Sequence, residues 1–157
     1  MIIGIDPGPE SGTVGMFVDD CGGKYGRSHA IELRGQPEIV MYKLYKMELT
    51  RSDYIVIEDI QPHGKKQPLS KVLIKTIKLI GRIEEFCDDP ARKIPYIEAS
   101  WAKHAQFLCA KQGMVKDTDV RLALESIYGK DNLKAWGVTN SHTRTALSLV
   151  HWWKNAY

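Results

Sequence analysis

Three short stretches of this chain carry residues that could do chemistry. "IIGIDPG" ends an apolar run on Asp6, and "YIVIED" ends another on Glu58. "NSHTRTALSL" opens a helical stretch with His142 and Thr145. A carboxylate at the end of an apolar strand is costly unless its charge is compensated. If the two strands are parallel neighbours, both acids project at the same carboxyl edge, where open α/β sheets gather ligands. Two carboxylates placed there repel one another and drift toward protonation, and a cation between them removes the conflict. An oxygen-rich site of this kind suits Mg²⁺ or Mn²⁺. His142 and Thr145 stand three residues apart, so on a helix they share a face. In the first turn, His142 is placed to supply a third donor.

Each residue also has a plainer reading. Asp6 before Pro7 and Gly8 is an ordinary turn residue. Asp59 competes with Glu58 as the projecting group, because strand alternation sends the two to opposite faces. A lone histidine at a helix start is commonly a surface or capping residue. Taken one at a time, none of these positions decides a function.

The elements that must position them follow from periodicity. Residues 2–6 read as a short buried strand. Residues 13–19 read as a second, with Val14, Met16 and Val18 on one face, and residues 27–33 as a third. Short turns between them imply an antiparallel meander. "QPEIVMYKLYKMELTR" has helical spacing at Ile39, Val40, Leu44 and Met47. Residues 54–58 form the clearest buried strand, and "IPYIEAS" a fifth. Between them, "SKVLIKTIKLIGRIEEFC" is an amphipathic helix with Leu73, Ile77, Ile80 and Phe86 near one face and Lys71, Lys75, Lys78 and Arg82 elsewhere. Three further helices are expected: one capped by Ser100, one capped by Asp117 or Thr118 and stopped by Gly129, and one capped by Ser141. The order β-β-β-α-β-α-β-α-α-α gives an α/β fold, a mixed sheet covered by helices.

At 157 residues with 43% hydrophobic content, one domain with a real core is expected. No run of about 18 apolar residues exists, so no membrane span is expected. The N-terminus lacks a signal-peptide pattern, and the expected location is cytoplasmic. Cys21, Cys87 and Cys109 have no CxxC spacing, which argues against a zinc site or a disulfide framework. A net charge of +3 permits a polyanionic partner without requiring one.

The three motifs, in this order and at this spacing, resemble the RuvC-type Holliday junction resolvases of the RNase H-like superfamily. The resemblance covers nearly the whole chain. It implies an RNase H-like five-stranded mixed sheet in one nuclease domain spanning 1–157. It also implies divalent-metal-dependent hydrolysis of phosphodiesters at four-way junctions, in DNA recombination and repair. The implied catalytic set is Asp6, Glu58, His142 and Thr145, with Asp6, Glu58 and His142 as ligands of Mg²⁺, for which Mn²⁺ can substitute. Thr145 stands where the family carries a final aspartate, which leaves open a weakened second metal, a substitute acid such as Asp59 or Glu98, or a catalytically impaired junction binder. Lys65 and Lys66, in the loop after the Glu58 strand, together with Lys116 and Arg144, are the implied DNA contacts. The implied partners are branched DNA and a second copy of the chain, in a bacterial or phage-infected cell.

Two other readings remain open at this level. The same fold serves nucleases acting on other branched DNA or on RNA. A Gly-Ile-Asp-x-Gly hairpin also opens the ATP-binding proteins of the actin and sugar-kinase type, although no second Gly-rich phosphate loop is present here.

Overall fold

A computed structural model describes residues 1–8, 13–20, 28–35, 37–47, 52–60 and 71–157. Five strands form one mixed sheet in the order β3-β2-β1-β4-β5. They are β1 (Ile2–Asp6), β2 (Thr13–Asp19), β3 (His29–Arg34), β4 (Tyr54–Asp59) and β5 (Tyr96–Ser100). The first three are antiparallel, as short connections require. β4 and β5 run parallel to β1, each after a helical crossover. Those crossovers are α1 (Pro37–Met47) and α2 (Lys71–Asp88). After β5 come α3 (Trp101–Cys109), α4 (Asp117–Tyr128), α5 (Lys130–Ala135) and α6 (Ser141–Ala156). No helix among the described residues is long and apolar enough to cross a membrane.

Alternation along the strands builds two cores. Ile3, Ile5, Val14, Met16, Val18, Ile55 and Ile57 face α1 and α2, where Val40, Leu79, Ile83 and Phe86 meet them. The opposite face carries Phe17, Val56 and Ala99, covered by α3, α4 and α6. β1 and β4 are central and buried on both faces, which is why they read as unbroken apolar runs.

Glycine lets α6 lie directly on the strands. A Cβ built on Gly4 would stand 2.1 Å from the Ala146 carbonyl oxygen. One built on Gly15 would stand 2.3 Å from the His142 carbonyl. No real side chain fits at either distance, so these two positions set the height of α6 above the sheet.

Several local expectations change. The chain between β5 and α6 holds an additional short helix, α5, framed by Gly129 and Gly137 with φ of 81° and 79°. Six residues are too few to show a periodicity. α4 is capped at Lys116, not Asp117 or Thr118, and the Asp119 carboxylate accepts the Lys116 N–H at 2.9 Å. α6 is capped by Asn140, not Ser141: its Oδ1 accepts the Thr143 N–H at 2.9 Å, and its Nδ2 donates to Glu32 of β3. Ser100 does cap α3, but its hydroxyl makes no cap hydrogen bond. On α2 the buried line is Thr76, Leu79, Ile83 and Phe86, whereas Ile77 is 43% exposed.

Gly15→Ala should lower the unfolding free energy by about 3 kcal/mol, the upper end of overpacking costs, because helix backbone rather than a flexible side chain blocks the methyl. Gly81, exposed on α2 with nothing within 4 Å of an added Cβ, is the control. Gly81→Ala should raise stability by about 0.5–1 kcal/mol through helix propensity. Urea unfolding of the two variants measures both changes.

Candidate active site

β1 and β4 are parallel neighbours, with Ile5 beside Ile57 in register. The next residues, Asp6 as the last of β1 and Glu58 as the last but one of β4, therefore lie side by side, on the face covered by α6. Asp6 is 3% exposed. Its Oδ1 accepts the Gly8 N–H at 2.8 Å, closing a tight turn in which Gly8 has φ of 58°. The Thr76 hydroxyl of α2 donates to the Gly8 carbonyl at 2.9 Å and braces that turn. Asp6 Oδ2 lies 3.0 Å from His142 Nδ1. The turn residue and the site residue are thus the same group: one oxygen holds the bend and the other faces α6.

Glu58 is desolvated at the strand end, and Asp6 beside it adds a negative charge and a hydrogen bond that favours the protonated acid. Together with a smaller push from Asp59, these raise its pKa to about 9. Closely spaced carboxylates resist ionising together, which is the direction of the Glu58 shift.

A second histidine, His104 of α3, completes the group. It is fully buried, and burial lowers its pKa to about 4, a fall the Asp6 charge only partly opposes. Its Nδ1 is 2.9 Å from the Ser148 hydroxyl of α6, and its Nε2 is 3.7 Å from Glu58 Oε1. Nε2 has no hydrogen-bond partner among the described residues. Sequence reading missed His104. The available signal was an ionisable residue on the apolar side of a short amphipathic helix, in step with Trp101 and Leu108.

The other expected residues are distributed as follows. Thr145 is buried at 4% exposure, one helical step beyond His142, and brings no charge. Glu98 faces away from Asp6: it hydrogen-bonds Glu84 of α2, and that contact, burial and the charges of Glu84 and Asp59 raise its pKa to about 7. Alternation places Asp59 with Glu98 rather than with Glu58. Neither substitute acid joins the pair. Lys116 is exposed at the start of α4. Arg144 makes a two-pronged ion pair with Asp117, Nε to Oδ1 at 3.2 Å and Nη2 to Oδ2 at 2.7 Å, which ties α6 to α4. Lys65 and Lys66 lie outside the described residues, as does Cys21.

Among the described residues, no three His, Cys, Asp or Glu side chains are grouped closely enough to enclose an ion as they stand. The donor chemistry nevertheless fits a hard divalent cation. Two acids lie side by side, and the desolvation and repulsion that raise the Glu58 pKa are what a cation reverses.

Solved structures share this architecture. A Thermus thermophilus RuvC structure matches over 99% of this chain and 96% of its own, with a TM-score of 0.59 and 14% identity. T. thermophilus RuvC in complex with a Holliday junction substrate matches over 94% of this chain and 88% of its own, with a TM-score of 0.58 and 16% identity. This chain has the RuvC fold. No family model and no curated protein sequence matches it. The RuvC likeness is therefore carried by topology, and the expected mixed five-stranded sheet flanked by helices is the one observed.

The raised Glu58 pKa makes stability fall with pH. The folded protein keeps a proton that the unfolded chain releases near pH 4.5, so the associated stability is complete below about pH 4.5. It is lost progressively as the pH rises toward about 9. In the presence of a chelator, the urea midpoint of the wild-type chain should fall between pH 5 and pH 9. Glu58→Gln, which cannot ionise, should flatten that dependence.

Proposed function

We propose that this chain is a divalent-metal-dependent DNA endonuclease that hydrolyses phosphodiesters at four-way junctions. The observation that carries the reading is the pairing of buried Asp6 with desolvated Glu58 at the carboxyl ends of two parallel strands, faced by His142, on a RuvC fold. The junction in the T. thermophilus complex supplies the substrate class.

Asp6, Glu58 and His142 would hold Mg²⁺ or Mn²⁺. An ion held by these residues would supply Lewis-acid polarisation of the phosphate and a more acidic water as nucleophile. The chain's own contribution is preorganisation. The Gly8 N–H and His142 fix Asp6, the β4 register places Glu58 against it, and burial excludes competing water. With Glu58 ionised, two carboxylates balance one divalent cation. Thr145 leaves the site one negative charge short of the family pattern, so a second cation would depend more heavily on the charge of the DNA phosphate. Of the cysteines, Cys87 is buried with its pKa raised to about 11, and Cys109 is also shifted upward, so neither supplies a ready thiolate nucleophile.

Lys116 would meet phosphates from the rim of the site, and Lys65 and Lys66 belong to the same proposed contact set. Arg144 acts first through Asp117, holding the start of α4, and hence Lys116, near the start of α6. Two symmetric nicks at a four-way junction call for a C2 homodimer.

A synthetic four-way junction should be nicked with Mg²⁺ or Mn²⁺ and left intact with a chelator. Asp6→Asn should reduce cleavage by about 10³-fold or more while leaving junction binding within a few fold, since a bound phosphate backbone reads mainly basic residues. Tight junction binding without cleavage in either metal would sink the nuclease reading.

A further inference from the structure

The buried imidazole of His104 is not explained by packing. It lies between α3 and α6, where an apolar side chain would fill the same volume without leaving a nitrogen unsatisfied. Trp101 meets its ring edge-on, with centroids 5.4 Å apart and an interplanar angle of 87°. The Ser148 hydroxyl holds Nδ1 at 2.9 Å. With the ring fixed on two sides, Nε2 is directed at Glu58 Oε1, 3.7 Å away. That separation is just too long for a hydrogen bond and too short to seat a water between the two atoms.

We infer that His104 is a positioning residue for Glu58: the Ser148 hydroxyl donates to Nδ1, and the proton this leaves on Nε2 holds the Glu58 carboxylate in place for a cation. The inference rests on the reading of Asp6, Glu58 and His142 as a metal-binding set. A carboxylate that ligates a cation is an acceptor at its remaining lone pairs, including Oε1 on the side of His104. A donor on Nε2 fits it, whereas the opposite tautomer would set a lone pair against a lone pair. When Glu58 carries its full charge the contact becomes a charge-assisted hydrogen bond, which is shorter than a neutral one. A neutral imidazole does this without adding positive charge that would compete with the metal. Carboxylate ligands oriented by an outer hydrogen-bond donor are a general device of metal sites.

Two measurements on the full chain test the inference. In metal-free protein, ¹⁵N NMR of the His104 ring should show the proton on Nε2 and an unprotonated Nδ1. The reverse tautomer overturns the proposal, whether or not the chain binds metal. In calorimetric titration with Mn²⁺, His104→Leu should bind ten- to a hundredfold more weakly, while its metal-free thermal midpoint stays at or above the wild-type value. His104→Gln, which keeps an N–H in reach of Glu58, should stay within about threefold of wild type, which keeps the test intact if the leucine variant misfolds. On a Glu58→Gln background, His104→Leu should weaken Mn²⁺ binding no further, because the two act through one contact. Wild-type affinity in His104→Leu, or a loss that simply adds to that of Glu58→Gln, overturns the inference. If the wild-type chain itself takes up no Mn²⁺, the metal reading fails separately, and the ring tautomer still decides the His104 contact.

Discussion

The close approach of α6 to β1 and β2 is the constraint on which the site depends. Gly4 and Gly15 admit helix backbone to within van der Waals contact of the strands. Gly15 is the register partner of Asp6, so the backbone of His142 comes to rest over the residue opposite the acid. The His142–Asp6 contact then follows without a special loop. The same seating lets Asn140 cap the helix while reaching Glu32 on β3, and lets Arg144 reach Asp117 on α4. A methyl group at either glycine would push the helix outward and pull these contacts apart together.

On that platform the fold concentrates acids that water would otherwise keep separate. Asp6 receives a backbone N–H, stands beside an imidazole, and hydrogen-bonds Glu58. Glu58, desolvated beside that negative charge, has its pKa raised. Across the sheet Glu98 stands near Glu84, and that contact, burial and the Asp59 charge raise its pKa to about 7. The sheet separates the two groups, although Asp59 adds its charge to both. Among the described residues, the histidines His142 of α6 and His104 of α3 face the first group. The facing histidines are what make the first pair the candidate metal site.

Where sequence reading erred, the cause was tertiary. Asp117 looks like a cap because it precedes a helical run, yet Arg144 from a distant helix claims its carboxylate, and Asp119 satisfies the Lys116 N–H instead. Ile77 was assigned to the buried side of α2 by spacing alone. The sheet meets the helix along Thr76, Leu79 and Ile83, where Thr76 is needed to brace the Gly8 turn. Glu98 looked like a spare ligand at a strand end, but the parity of β5 turns it to the other face.

The sequence by itself determined the strands, most of the helices, the three motifs, and thus Asp6, Glu58 and His142 as residues of interest. Apolar runs, turn residues and helical spacing are local properties, and a strand that ends on an acid announces itself. The pairing of β1 with β4 and the seating of α6 on β1 depend on contacts between residues about 50 to 140 positions apart, and no local pattern encodes them. Those contacts alone decided that β1 and β4 are parallel neighbours, that Glu58 is desolvated beside Asp6 with its pKa raised, and that α6 rests on two glycines. They also brought His104, an unremarked residue of a short helix, to 3.7 Å from Glu58.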